Sequence, residues 1–311
     1  MKKLGGLSLL LLLAAGVWVN SLRPAPNVKA RSFGDYEVEQ RFNWDDLIGY
    51  KNVENKGAFN YYQGSSSHNQ HNPRDLVLFL PSAGREASDF IELFRTVEQT
   101  GHSVEVVDFP SLKQSIIPDT LKEYSMIFAP AFLLEKEKIF IVGHAFGNRV
   151  ARMAAHQNPE NIKGVILLAA GGQVPPDPEA DAALKRVFNP LKSHRSRMKD
   201  VRTAFFADGN EIPPHWKRGW HTKTAIAQGK AKGDRDDSWH CAGGVPMLIV
   251  QPMQDKIAPP ANAYALKEKC SQEVEIVEVQ NAGHALLPEQ PEAVAKAVLD
   301  FLAKHHPTDK P

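Results

Sequence analysis

Three positions in this 311-residue chain have the order and surroundings of a nucleophilic catalytic triad, but the first has no reactive atom. They are Ala145, Asp255 and His284. A histidine beside a carboxylate can act as a general base, because the carboxylate fixes the tautomer and the orientation of the ring. Ala145 stands where a serine would be expected, and a methyl group cannot attack a carbonyl. The sequence therefore predicts an acid–histidine pair without its usual nucleophile.

The segment around Ala145 is typical of a sharp strand-to-helix turn. An apolar run at residues 139–142 leads into Gly143-His144-Ala145-Phe146-Gly147, which matches G-x-S-x-G at every position except the nucleophile. Glycines at these two positions indicate a tight turn in which side chains would collide with the neighbouring strand and helix. His144 precedes the turn, so we expect it to point away from the site and to be structural.

Asp255 and His284 each follow a predicted strand. Asp255 comes after the apolar run 247–250, and His284 lies 29 residues further on, after the alternating run 274–279. The alternatives are a turn carboxylate that satisfies its own backbone and a structural histidine. Because active groups in such folds lie at the carboxyl ends of the strands, we expect the two side chains to meet there. Gly283 is expected to let the loop bend.

A site of this kind also needs two backbone N–H groups that stabilise an oxyanion. We expect one from Phe146, directly after the turn, and the other from Ala83 in the loop 81–85. Ser82 in the same loop is a candidate for the lining of a substrate pocket, although its hydroxyl could equally close a turn. Arg85 could meet an anionic substrate, but solvated loop charge is the expected role.

The elements that must position these residues alternate along the chain. Apolar runs that suit buried strands of a parallel sheet occur at 76–80, 104–107, 139–142, 165–168 and 247–250, with helical patterns between them. This alternation predicts an α/β fold with a doubly wound, mostly parallel sheet. Residues 171–244 have no strong strand pattern and are too many for a loop, so we expect an inserted helical cap. Trp216 and Trp220 in this cap either form its own small core or line a substrate pocket.

The N-terminus has the pattern of a secretory signal. Lys2 and Lys3 precede an apolar run of 16 residues at 4–19. An uncleaved membrane anchor is the alternative, although a span needs roughly 20 residues. We therefore expect an exported protein, periplasmic or extracellular, that touches a membrane only through an uncleaved N-terminal segment. The predicted division is a signal or anchor at 1–30, an extension at 31–74, a core at 75–170 and 245–305, and the cap at 171–244.

Charge, histidine spacing and cysteine usage restrict the partners. The chain has 37 Lys and Arg against 36 Asp and Glu and no basic stripe interleaved with aromatics, so nucleic acid is not an expected partner. No G-x-G-x-x-G follows a strand, and the cap histidines lack ligand spacing, so we expect neither a dinucleotide or other cofactor nor a metal. Cys241 and Cys270 could pair in an oxidising compartment, but unpaired thiols are the favoured interpretation.

Over about residues 76–302 the chain resembles the α/β-hydrolase fold superfamily. The resemblance rests on the elbow 143–147, on Asp255 before 257–260, and on 283–288 around His284. It implies that His284 is a general base which Asp255 orients. The chain departs from the family pattern at Ala145, at Pro81-Ser82, where a His-Gly pair is common, and at Gln251, where a glycine is often found.

Three interpretations of Ala145 remain open. In the first, the protein is an enzyme in which His284 deprotonates a water or a substrate directly, acting on a small apolar or amphipathic ester-like or carbonyl compound. In the second, it is a non-catalytic protein that binds a ligand in the retained cleft. In the third, it is an ordinary serine esterase with an engineered Ser-to-Ala change at position 145. The retained Asp255 and His284 favour retained chemistry or a recent or artificial change at position 145, because a retired site would have no need of them.

Overall fold

The computed structural model describes residues 51–54, 60–63, 74–109, 118–126, 139–231, 233, 237–270 and 274–306. The predicted signal or anchor at 1–30 lies outside these residues, as does most of the extension at 31–74. Within the part of the chain that the structure describes, no helix is both long enough and apolar enough to span a bilayer.

One sheet of eight strands runs through the described residues in the order β1-β2-β4-β3-β5-β6-β7-β8. The strands are β1 (Lys51–Glu54), β2 (Asn60–Gln63), β3 (Arg74–Leu80), β4 (His102–Asp108), β5 (Ile139–His144), β6 (Ile162–Leu168), β7 (Met247–Pro252) and β8 (Val274–Val279). The strands from β3 to β8 pair in parallel with their neighbours. The predicted doubly wound, mostly parallel sheet is confirmed, and its winding order reverses between β3 and β5. Ligand sites in open α/β sheets lie at such a reversal.

The predicted extension contributes two strands that the sequence analysis did not identify. β1 pairs antiparallel with β2, and β2 pairs antiparallel with β4. At the opposite edge, β8 is buried at its two ends, Val274 and Val279, and more exposed between them, so its burial does not follow the alternation of its sequence.

Helices cover both faces of the sheet and bury two apolar layers. They are α1 (Ile91–Gln99), α2 (Leu121–Met126), α3 (Phe146–Gln157), α4 (Pro178–Val187), α5 (His194–Phe205), α6 (Thr222–Lys230), α7 (Ala261–Lys269), α8 (Leu286–Glu289) and α9 (Pro291–His305). One layer contains Val150 and Met153 of α3, and the other contains Val97 of α1 and Val298 of α9. Apolar residues at helical spacing face the sheet in both cases, which is why these segments fold as amphipathic helices.

The segment between β6 and β7 is helical, and we call residues 171–244 the cap. It contains α4, α5 and α6 together with the 3-10 stretches Pro214–Lys217 and Asp237–Gly244. Asp177 begins α4 because its carboxylate accepts hydrogen bonds from the Glu179 and Ala180 amides, and Pro178 occupies the first helical position. The cap buries a small apolar cluster of its own around Trp216.

Cys241 and Cys270 form a disulfide, so the favoured prediction of two unpaired thiols was wrong. Cys241 lies in the 3-10 stretch that ends the cap, and Cys270 follows α7. Their Cα atoms are 5.4 Å apart, although 29 residues separate them along the chain. The fold brings the two elements together, which spacing along the sequence cannot indicate.

Candidate active site

Ala145 occupies a backbone conformation that favours glycine, at the turn between β5 and α3. Its φ is 50° and its ψ is −107°. Such conformations cost on the order of 1–3 kcal/mol for a residue with a Cβ and persist only where the surroundings enforce them. The Ala145 amide donates to the Leu168 carbonyl of β6 at 3.1 Å, which fixes the turn against the sheet. The elbow geometry is therefore kept although the side chain is a methyl group.

The two glycines of the elbow are required by close packing. A Cβ at Gly147 would overlap the carbonyl oxygen of Leu80 in β3, and one at Gly143 would lie 2.5 Å from the Asn148 amide nitrogen. Both clashes involve backbone atoms, so no side-chain rearrangement could relieve them. The predicted collisions with the neighbouring strand and helix are therefore confirmed at both glycines.

His284 and Asp255 form an oriented, buried hydrogen-bonded pair. His284 Nδ1 lies 2.8 Å from Asp255 Oδ2, and both residues are only 3% exposed. The other carboxylate oxygen accepts from the Ile257 and Ala258 amides, each at 2.8 Å. Because the carboxylate accepts, the proton is assigned to Nδ1, which leaves the Nε2 lone pair available as a base.

His144 lies behind His284 and outside the lining of the cavity described below. Its Nε2 donates to the His284 carbonyl oxygen at 2.8 Å. Burial, as the largest cause, and the neighbouring His284 together lower the pKa of His144 to about 4. The side chain is therefore neutral near pH 7 and holds the His284 backbone in place, the kind of role that was expected of it.

The loop that carries His284 is fixed by the cap and by a half-buried carboxylate. Glu289 accepts hydrogen bonds from the amides of Gly283 (2.7 Å) and Ala207 (2.8 Å). Burial raises the pKa of Glu289. A Cβ at Gly283 would lie 2.7 Å from the Phe205 carbonyl oxygen. Gly283 is not among the glycines with positive φ, so it is needed for close approach to the cap rather than for the bend that we expected.

A cavity of about 430 Å³ lies between the cap and the carboxyl ends of the strands. Five of the predicted site residues line it: Ser82, Ala83, Ala145, Phe146 and His284. The other described residues of its lining are Arg149, Ala169, Gly171, Gly172, Leu184, Phe205, Gln228, Gly229, Trp239, His240, Ile257 and Ala258. Apolar groups dominate this wall, as is usual in small-molecule sites.

Ala83 and Phe146, the predicted oxyanion donors, follow the neighbouring strands β3 and β5. The Phe146 amide opens α3, where the first N–H groups have no acceptor within the helix. The loop 81–85, which carries Ala83, is held by the cap. The Gly84 amide donates to Gln228 Oε1 at 2.7 Å, and the Gly84 carbonyl accepts from the His221 amide. Both predicted donors thus belong to backbone that packing has fixed at the cavity.

Trp216 and Trp220 do not line the cavity, which corrects their assignment to a substrate pocket. They enclose the guanidinium of Arg85, whose Cζ lies 4.4 Å and 4.5 Å from the two ring centroids. Arg85 also binds both carboxylate oxygens of Asp89, at 2.8 Å and 2.5 Å. Only 1% of Arg85 is exposed, so the expectation of solvated loop charge was also wrong.

The cavity wall includes polar and aromatic residues that sequence reasoning did not select. Arg149 lies four residues after Ala145 on α3, one helical turn from the elbow, and this spacing could have identified it. Gln228, Trp239 and His240 come from the cap, and no motif marks them. Among the described residues, no group of three or more His, Cys, Asp and Glu side chains could hold a metal ion.

Comparisons with known proteins identify the family and the fold of the chain. The model of the alpha/beta hydrolase family matches residues 77–297. No curated protein matches the sequence. Among solved structures, the chain is similar to a membrane phospholipase A that is described as a bacterial virulence factor, with 18% identity over 98% of this chain and 99% of that one and a TM-score of 0.66.

Two further structures have the same fold. A carboxylesterase from Bacillus subtilis, CesB, has 16% identity over 79% of this chain and 89% of its own, with a TM-score of 0.64. A serine hydrolase involved in carbazole degradation, CarC, has 19% identity over 79% of this chain and 95% of its own, with a TM-score of 0.63. Identities this low establish a shared fold alone. Because the family model covers more than half of the chain, the protein belongs to the alpha/beta hydrolase family.

Proposed function

We propose that this protein hydrolyses a small amphipathic ester-like compound without forming a covalent intermediate. One observation carries the proposal: His284 is hydrogen bonded to Asp255 at 2.8 Å and lines the same cavity as Ala145. A histidine that a buried carboxylate orients is a competent general base. The esterase and phospholipase names among the similar structures support this reaction class.

The reaction would proceed by direct attack of water. His284 Nε2 takes a proton from the water as its oxygen bonds to the substrate carbonyl carbon. The resulting oxyanion accepts hydrogen bonds from the Phe146 and Ala83 amides. The intermediate then collapses, the bond to the leaving alkoxide breaks, and the alkoxide takes the proton from His284. No bond to Ala145 forms at any stage, and Asp255 stabilises the imidazolium throughout.

The cavity supports a small substrate with an apolar part. Its volume of about 430 Å³ is within the range of small-molecule sites, and a polymer would not fit beneath the cap. The cavity wall beside His284 and the cap is apolar and includes Leu184, Phe205 and Ile257.

Binding without catalysis is the second candidate function, and the missing hydroxyl at Ala145 favours it. Removing one member of a catalytic triad typically leaves only about 10³–10⁴-fold acceleration over water. A protein with only this residual rate acceleration could serve as a carrier or receptor for the same ligand. A serine esterase disabled by a change at position 145 would behave in the same way.

Turnover of 4-nitrophenyl acetate, butanoate and octanoate by three proteins tests the proposal: the chain as it stands, Ala145→Ser and His284→Gln. We expect the native chain to be active without a burst of nitrophenol and His284→Gln to be inactive. We also expect native turnover to be insensitive to a fluorophosphonate, which labels an activated serine. If only Ala145→Ser turns over and takes the label, the native chain is a binding protein or a disabled esterase, and the proposal is wrong.

We also propose that the protein is exported. The Cys241–Cys270 disulfide supports this, because such bonds persist in oxidising compartments. The signal-like residues 1–30 point the same way. Fractionation of expressing cells, followed by N-terminal sequencing, distinguishes a cleaved exported form from a membrane-anchored one, and a full-length cytoplasmic product would contradict export.

A further inference from the structure

The wall of the cavity beside the elbow carries a cation with no acidic partner among the described residues. Arg149 projects from α3 and lines the cavity. No ion pair or hydrogen bond joins its guanidinium to any residue that the structure describes, whereas Arg85 in the next loop has a buried carboxylate. Burial lowers the pKa of Arg149, because a site with little water disfavours the charged guanidinium.

The charges around Arg149 are also mostly positive. Arg152, one turn away and 0% exposed, repels it, and Arg152 Nη1 has no hydrogen-bond partner in the described part of the chain. Lys269 and Asp237 form an ion pair at 3.5 Å, and both act on His240 of the cavity wall together with Arg149 and Arg152. These four groups comprise three cations and one carboxylate, an excess of two positive charges.

Two neutral polar side chains of the same cavity wall, His240 and Gln228, present donors. Lys269 Nζ lies 3.2 Å from His240 Nδ1, so Nδ1 accepts and the proton of His240 is on Nε2. Gln228 uses its carbonyl oxygen to accept from Gly84, and its Nε2 has no acceptor among the described residues. A buried donor without an acceptor is destabilising, and a ligand oxygen would supply the missing acceptor.

From this arrangement we infer that the cavity contains an anion subsite at Arg149, and that the ligand is an amphipathic molecule with a carboxylate or phosphate group. Arginine forms two parallel hydrogen bonds with either group. The anionic end would lie between Arg149 and His240, and the apolar part would extend along Leu184, Phe205 and Ile257. This assignment deepens the proposed function, on which it rests for the identity of the cavity as the site.

Direct binding measurements test the subsite without relying on turnover. Octanoate, octyl phosphate and octanol share one apolar chain, and isothermal titration calorimetry gives their affinities for the full chain. We expect an anionic ligand to bind at least tenfold more tightly than octanol, and more weakly as salt rises. The ratio of octanoate to octyl phosphate affinity identifies the preferred anion. Equal affinities for octanol and both anions would overturn the inference.

Variants assign the preference to one side chain. Arg149→Gln should reduce the preference for the anion to less than twofold while the octanol affinity stays unchanged, and Arg149→Lys should restore part of it. Thermal unfolding of both variants checks that they fold. Octanoate binding with no ester turnover by the native chain would contradict the proposed hydrolysis alone, whereas an Arg149→Gln variant that keeps the preference would contradict this subsite alone.

Discussion

The backbone amide of Ala285 donates to the carbonyl oxygen of Phe205 at 2.8 Å, so the residue after the candidate base is tied directly to the cap. His284 itself lies with its ring 5.8 Å from the Phe205 ring. The cap therefore does more than cover the cavity. It supplies part of the framework that sets the position of His284, and a disturbance of this contact should affect the base as well as the stability of the protein.

Replacing Gly283 with alanine should disturb this contact. The new Cβ would lie 2.7 Å from both the Ala207 amide nitrogen and the Phe205 carbonyl oxygen, so one of the two backbones must move. We expect the free energy of unfolding to fall by about 1–3 kcal/mol, as in other overpacked sites. Urea denaturation measures this. Gly229→Ala is the control, because a Cβ at Gly229 in α6 meets nothing within 4 Å and alanine favours a helix. A Gly283→Ala variant as stable as the control would refute the argument.

Asp255→Asn should remove the base without removing the fold. The asparagine oxygen can still accept from the Ile257 and Ala258 amides, but its NH₂ group would face His284 Nδ1 and impose the other tautomer. The Nε2 lone pair would then be lost, and we expect kcat for ester hydrolysis to fall roughly 10³–10⁴-fold. Steady-state kinetics measures the loss. If KM rises and kcat is unchanged, Asp255 serves binding rather than the orientation of the base.

Stability should fall as the pH is lowered from about 6.5 toward 4. Burial, as the largest cause, lowers the pKa of His144, His215 and His240 to about 4 each. In this window the unfolded chain binds more protons than the folded one, so the stability is fully present above pH 6.5 and is lost on acidification. His144→Gln keeps a donor for the His284 carbonyl but does not titrate. It should reduce the slope of unfolding free energy against pH by up to about 1.4 kcal/mol per pH unit. Identical slopes in the two proteins would show that His144 does not contribute.

The disulfide should contribute substantially to stability. Its removal in the Cys241→Ser, Cys270→Ser double variant should lower the free energy of unfolding by roughly 2–4 kcal/mol, because the unfolded chain regains the freedom of the closed loop. Dithiothreitol should destabilise the native protein by a similar amount and leave the double variant unaffected. Alkylation under non-reducing conditions followed by mass spectrometry provides the direct check, since two labelled thiols would contradict the bond.

The elbow, Asp255 and His284 could be predicted because each is marked by local sequence. A Cβ at Gly143 would clash with backbone of α3 and one at Gly147 with backbone of β3, and strand order then places Asp255 and His284 at the same carboxyl end of the sheet. The cap could be predicted as helical from the absence of strand patterns. Its orientation could not, because that depends on which aromatic residues pack together.

The errors in the sequence analysis have the same origin. Trp216 and Trp220 are aromatic residues in the cap, as pocket residues often are, but they stack on the buried Arg85 instead. Nothing local distinguishes them from Trp239, which does line the cavity. The disulfide and the strands β1 and β2 likewise depend on partners far away in the sequence.

The backbone conformation of Ala145 has a genetic consequence. The genetic code places every alanine codon one base change from a serine codon, and the backbone at this position already has the form that the elbow requires. A single point mutation would therefore return a hydroxyl group beside an oriented histidine, with no other part of the site to rebuild.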